Sequence, residues 1–235
     1  MPTIEKKLKL LSAGAVKGGV TQLAVEFERA TGHGVAIDFA PAPELRERIA
    51  AGEAADAVIL PQSMMDELAT QGKIAADSRA LLGRSRMGVT VHAAAPQHDL
   101  ADTAAFKQLV LGASAVVYNN ASSGIYAAKL LDKLGLAKIM SSKTVIVKSG
   151  AAIMEYVAEH PPAAVGLAQI SEIMVLIAKG CPVRLAAPLP DEIQNSTTYF
   201  VAATADAAVR QTADSLVRFL TTPEAKSAFA ATGID

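Results

Sequence analysis

The chain has one cysteine, Cys181, no tryptophan, and few aromatics of any kind at 4%. A lone thiol rules out an intramolecular disulfide framework and a four-cysteine zinc site, and its plain reading is a small buried apolar side chain. Neither sign of charge is in excess, with 22 Lys and Arg against 23 Asp and Glu. Nothing in that balance draws the chain to nucleic acid or to an anionic membrane surface. No apolar run approaches the roughly 18 residues of a membrane span. The charged start, Met1 to Lys9, leads into an apolar stretch at Leu8 to Ala15 that is too short for a signal peptide. Two locations stay open: the periplasm if a leader has been removed, or the cytoplasm. The four histidines, His33, His92, His98 and His160, are scattered without i, i+4 spacing or acidic partners, so no metal site is expected. No P-loop, dinucleotide fingerprint or G-x-S-x-G elbow occurs, and no cofactor is expected.

What is present is a chain of 235 residues, 51% hydrophobic and 19% charged. That composition suits one large or two small globular domains. Apolar runs of strand length alternate with segments of helical period, the pattern of an α/β fold with mostly parallel sheets. Leu8 to Ala15 reads as a buried strand, Gly18 and Gly19 as a turn, and Val20 to Thr31 as an amphipathic helix ended by Gly32. Val35 to Phe39 and Ala57 to Leu60 read as strands around a short helix from Glu44 to Ala51. Met87 to His92, Ala115 to Tyr118, Thr144 to Val147, Val165 to Gln169 and Tyr199 to Ala203 read as further strands. Helices are expected from Ser123 to Leu134, capped by Ser122 or Ser123, and from Ala205 to Leu220. In such folds ligands bind at loops following the carboxyl ends of parallel strands. Those loops are Ser12 to Lys17, Phe39 to Glu44, Asn119 to Gly124 and Gly166 to Ser171.

Five segments, LKLLSAGAVKGGVTQLAVEFERATGHGVAIDFA, ELRERIAAGEAADAVILPQSMMDELATQGKI, SSGIYAAKLLDKLGL, AAVGLAQISEI and RFLTTPEAKSAFAATGID, together resemble the periplasmic molybdate-binding proteins of ABC importers. The resemblance implies a two-lobed class II periplasmic-binding-protein fold, each lobe a mostly parallel sheet flanked by helices, with the ligand in a cleft between lobes. The first lobe is expected at residues 1–83 and 196–235, the second at 84–195. It also implies a monomer that binds a small anion and, if exported, an ABC permease as partner. The family's two oxyanion-holding serines fall at Ala15 and Ala42 here, and its second-lobe tyrosine at Gln169. Alanine has no hydroxyl to donate, so molybdate should bind weakly. The candidate ligand-binding set is Ser12, Ala15, Lys17, Ala42, Arg84, Asn119, Ser122, Ser123 and Gln169. Lys17 offers a charge-assisted bond, its plain alternative being a solvated lysine beside Gly18 and Gly19; Arg84 offers a planar guanidinium and is preferred to Arg86. The stretches LAQISEI and PLPDEIQN also resemble an aconitate isomerase branch. That alternative needs a base, for which Lys17 and Glu44 are the candidates, Glu44 having the plain reading of a carboxylate favoured at a helix start.

Overall fold

The computed structural model describes residues 7–235, so that most of the charged start, Met1 to Lys6, lies outside them. Along the chain run β1 (Leu8–Ala13), α1 (Lys17–Thr31), β2 (Val35–Ala40), α2 (Ala42–Ala50), β3 (Ala57–Pro61), α3 (Gln62–Thr70) and β4 (Ala80–His92). Then follow α4 (Thr103–Gly112), β5 (Ala115–Asn119), α5 (Ser122–Lys133), β6 (Thr144–Val147), α6 (Gly150–Glu159), β7 (Ala164–Gln169), α7 (Ile170–Ala178), β8 (Val183–Pro188), β9 (Ser196–Ala203), α8 (Arg210–Phe219) and α9 (Pro223–Ala231). They form two compact units, Met1–Arg84 with Thr197–Asp235, and Ser85–Ser196. Arg84 therefore falls with the first unit.

In the first unit the strands run β2-β1-β3-β9, with β1 parallel to β2 and β3, and β9 antiparallel to β3. Val20, Leu23, Ala24 and Phe27 recur on one face of α1 and are buried. Each large side chain so buried contributes about 1.5–3 kcal/mol. The helix stops at Gly32, whose φ of 78° is the left-handed conformation that glycine adopts at no steric cost. Gly18 and Gly19, expected to turn the chain, lie inside α1 instead. Packing explains Gly19: a Cβ there would stand 2.3 Å from Cδ1 of Phe229 in α9. The helix expected from Ala205 begins only at Arg210. Asp56 holds the preceding segment out of helical conformation, its Oδ1 accepting the N–H groups of Ala208 at 2.8 Å and Val209 at 3.2 Å.

In the second unit the order is β8-β4-β7-β5-β6, with β5 parallel to β6 and β7, and β4 antiparallel to β7 and β8. Side chains alternate across this sheet, as strand geometry requires. Val116, Val165 and Leu167 pack with Phe106 of α4 and Leu130 of α5. Val117, Ala164 and Ala168 pack with Ile153 of α6 and Ile173 of α7. Helices on both faces explain why these strands read as unbroken apolar runs. Cys181 is partly buried against the second of these clusters.

Candidate functional site

Parallel strands end together, so each unit has one edge where helices begin. In the first unit β1, β2 and β3 end at Ala13, Ala40 and Pro61, and α1, α2 and α3 start just beyond. In the second, β5, β6 and β7 end at Asn119, Val147 and Gln169, and α5, α6 and α7 follow. The first N–H groups of a helix have no partner within it and carry its positive dipole end. Elsewhere capping side chains meet them: Asp102 accepts from Ala105 at α4, and Thr222 from Ala225 at α9. At α1, α2, α3 and α7 the N-cap residues, Val16, Pro41, Pro61 and Gln169, supply no capping side chain. Donors without side-chain caps at strand ends suit an anion.

The structure places Ser12, Ala15, Lys17 and Ala42 on the helix-start edge of the first unit, and Arg84 on β4. Ser12 is completely buried in β1, opposite Phe39 and Ile59, and its hydroxyl donates to the Ala13 carbonyl at 3.3 Å. Ala15 is buried in a single 3₁₀ turn, Gly14–Val16, between β1 and α1. Ala42 is the buried first residue of α2. Lys17 opens α1, exposed, with Nζ 5.0 Å from the centre of the Phe39 ring, a cation–π contact. Glu44 is exposed in the first turn of α2 and pairs with Arg48 at 3.5 Å, as a surface carboxylate does. Arg84 is exposed on β4, its backbone bonded to Asp235 in both directions, N–H to O at 2.6 Å and O to N–H at 2.9 Å.

In the second unit Asn119 ends β5 and is the real cap of α5. Its Oδ1 accepts from the N–H groups of Ala121 at 3.1 Å and Gly124 at 3.2 Å, and from the Ser123 hydroxyl at 3.4 Å. Capping by Ser122 or Ser123 was the sequence expectation; Ala121 occupies the N-cap, and the serines are the first two helical residues. Gly124 cannot carry a side chain, since a Cβ would stand 1.6 Å from the Asn119 carbonyl oxygen. Replacing Asn119 by alanine strands two backbone donors, and thermal unfolding should report a loss of about 1–2 kcal/mol, against less for Ser123→Ala. Gln169 is buried at the N-cap of α7.

Two residues on this edge, Ser85 and Glu172, escape sequence reasoning, while Ser171 closes the loop expected from Gly166 to Ser171. The Ser85 and Ser171 hydroxyls, both buried, share a hydrogen bond at 2.9 Å between the start of β4 and α7. Glu172 follows, with its carboxyl buried and pushed up to about 7 by loss of water, only partly offset by the backbone N–H of Gln169. An apolar groove lined by Leu81, Leu82, Phe229 and Ile234 contains none of the candidates.

The model of the family described as bacterial extracellular solute-binding protein matches residues 8–235. The chain belongs to that family. As a solute-binding protein it is 30% identical over 236 residues to an aconitate isomerase of a Pseudomonas species, covering 97% of this chain and 87% of that one. Its fold is that of the periplasmic binding proteins. A periplasmic molybdate-binding protein of Azotobacter vinelandii matches with a TM-score of 0.80 at 20% identity, over 97% of this chain and 99% of that one. A sulfate-binding protein of Mycobacterium tuberculosis matches with a TM-score of 0.78 at 15% identity, over 97% and 86%. Within this solute-binding protein, no helix of the described residues is long and apolar enough to cross a membrane.

Proposed function

We propose that this solute-binding protein captures a small anion carrying more than one carboxylate at helix starts on its strand-end edges, and delivers it to an ABC permease from outside the cytoplasm. The observation that carries this reading is the set of helix starts at strand ends without capping side chains, on α1, α2, α3 and α7. Family membership supports a ligand-carrying role, and the relative named for aconitate supports carboxylate over molybdate. Ala15 and Ala42 support the same preference, because they offer no hydroxyl where the molybdate binders present one.

A thermal-shift screen of di- and tricarboxylates, sulfate and molybdate tests this, since a ligand that binds only the folded state raises its melting temperature. Carboxylates should stabilise most, and a larger shift with molybdate would overturn the preference. Lys17→Met is expected to weaken the best ligand by about 1.5–3 kcal/mol, roughly tenfold to hundredfold, through loss of a charge-assisted bond. Calorimetry showing unchanged affinity would leave Lys17 as a partner of Phe39 alone.

A second reading, isomerisation of an unsaturated tricarboxylate, is favoured by the 30% identical isomerase. Ultraviolet absorbance of cis-aconitate mixed with catalytic amounts of protein separates the two, because a carrier leaves the spectrum unchanged.

A further inference from the structure

Glu172 is the third residue of α7 and reaches back to the helix start, where its carboxyl accepts the Gln169 N–H. That contact is the acidic half of a capping box. The other side of the carboxyl has no such explanation. Oε2 is buried without a hydrogen-bond partner. The carboxyl lies against the first residue of α6, where a Cβ on Gly150 would stand 2.3 Å from Cδ and 2.4 and 2.5 Å from the two oxygens. Glycine at that position leaves the room the carboxyl occupies. An acid with one unpartnered oxygen thus sits at the starts of two helices, on the edge that carries Asn119 and Gln169.

Charged neighbours do not account for it. The ionisable residues on the packed elements are Glu155, Tyr156 and Glu159 on α6, Arg184 on β8, and Arg84, Arg86 and His92 on β4, with Lys148 just before α6; β7 and the rest of α7 have none. None of them moves the Glu172 titration, which burial alone raises. Glu155 acts on Cys181, Tyr156 stacks on His160 at 3.9 Å, and Arg184 donates to the carbonyls of Ala95 at 3.3 Å and Pro96 at 2.7 Å.

We propose that Glu172 takes up a proton from solvent when the protein captures its anion, and meets the ligand as the neutral acid. The proposal rests on the anion-binding reading above. An anion seated at the start of α7 brings negative charge beside a carboxylate already stripped of water, and like charge favours the neutral form. The proton then gives Oε2 a donor for a ligand oxygen, which an ionised carboxylate would repel. Capture becomes linked to pH: affinity falls as pH rises above about 7, by at most tenfold per pH unit.

Calorimetry with sulfate, whose charge is constant near neutrality, and with propane-1,2,3-tricarboxylate, which has no double bond to rearrange, tests this at pH 7.5. Each is titrated in two buffers of different ionisation enthalpy. About half a proton or more should be taken up per ligand by the unaltered protein. Glu172→Gln should bind with no uptake beyond the ligand's own. Binding without uptake, or equal uptake in Glu172→Gln, would overturn the proposal while leaving the anion-binding reading intact. Failure of both probes to bind the unaltered protein would overturn both. Should Glu172→Gln not fold, the affinity of the unaltered protein for its probe between pH 6.5 and 8.5 decides: a fall beyond the ligand's own titration supports the proposal, and a flat profile contradicts it.

Discussion

Replacing Asp56 by alanine is expected to destabilise the first unit by about 3–5 kcal/mol, lowering its melting temperature by roughly 10 °C. The residue is 4% exposed, and its side chain joins three segments far apart in sequence. Oδ2 accepts the Lys9 N–H at 2.9 Å, at the start of β1, while Oδ1 accepts from Ala208 and Val209 ahead of α8. Its backbone continues the same seam, donating to the Lys9 carbonyl and accepting from Thr204, both within 3.1 Å. Alanine would leave three backbone donors without partners, and burying each such group costs about 1–3 kcal/mol, not fully additively. Asp56→Asn keeps one acceptor oxygen and should lose less. A loss below about 1 kcal/mol for Asp56→Ala would mean that water replaces the carboxylate freely.

Glu172 gives the second large effect, and its sign runs against that of most carboxylates. Burial raises its titration from 4.5 in the unfolded chain to about 7 in the folded one. The unfolded state therefore releases the proton first as pH rises. The stabilising contribution is complete below pH 4.5 and is lost on the way to pH 7, a swing of about 3 kcal/mol. Glu172→Gln has no such titration. Denaturant unfolding of the two proteins should give a difference that is flat below about pH 4.5 and moves by about 3 kcal/mol in favour of Glu172→Gln by pH 8. Parallel curves across that window would show that the folded protein admits water to the carboxyl.

Much of the fold is legible because its signals are local. From β1 to β3 the strand runs are cut by Gly32, Pro41 and Gly52, and the α1 stripe repeats at helical spacing, so the order of elements follows directly. The errors come where a distant residue decides. Gly18 and Gly19 read as a turn until Phe229 packs on α1, and the helix expected from Ala205 is held open by Asp56. α7, ISEIMVLIA, is apolar nearly all round and shows no stripe to mark it as a helix rather than a continuation of β7. At the edges, Ser12, Asn119 and Gln169 were accessible because they end strands. The Ser85–Ser171 pair depends on the antiparallel register of β4 and β7, and the environment of Glu172 depends on Gly150 in another helix; neither can be read from local pattern.

The most direct test of the account is calorimetric titration of the protein with propane-1,2,3-tricarboxylate, sulfate and molybdate at physiological ionic strength. The account predicts saturable binding of one tricarboxylate per chain, with molybdate weaker, because backbone donors at the helix starts remain while Ala15 and Ala42 offer no hydroxyl. Absence of binding by all three anions would contradict it at its root, and tightest binding of molybdate would contradict the choice of ligand.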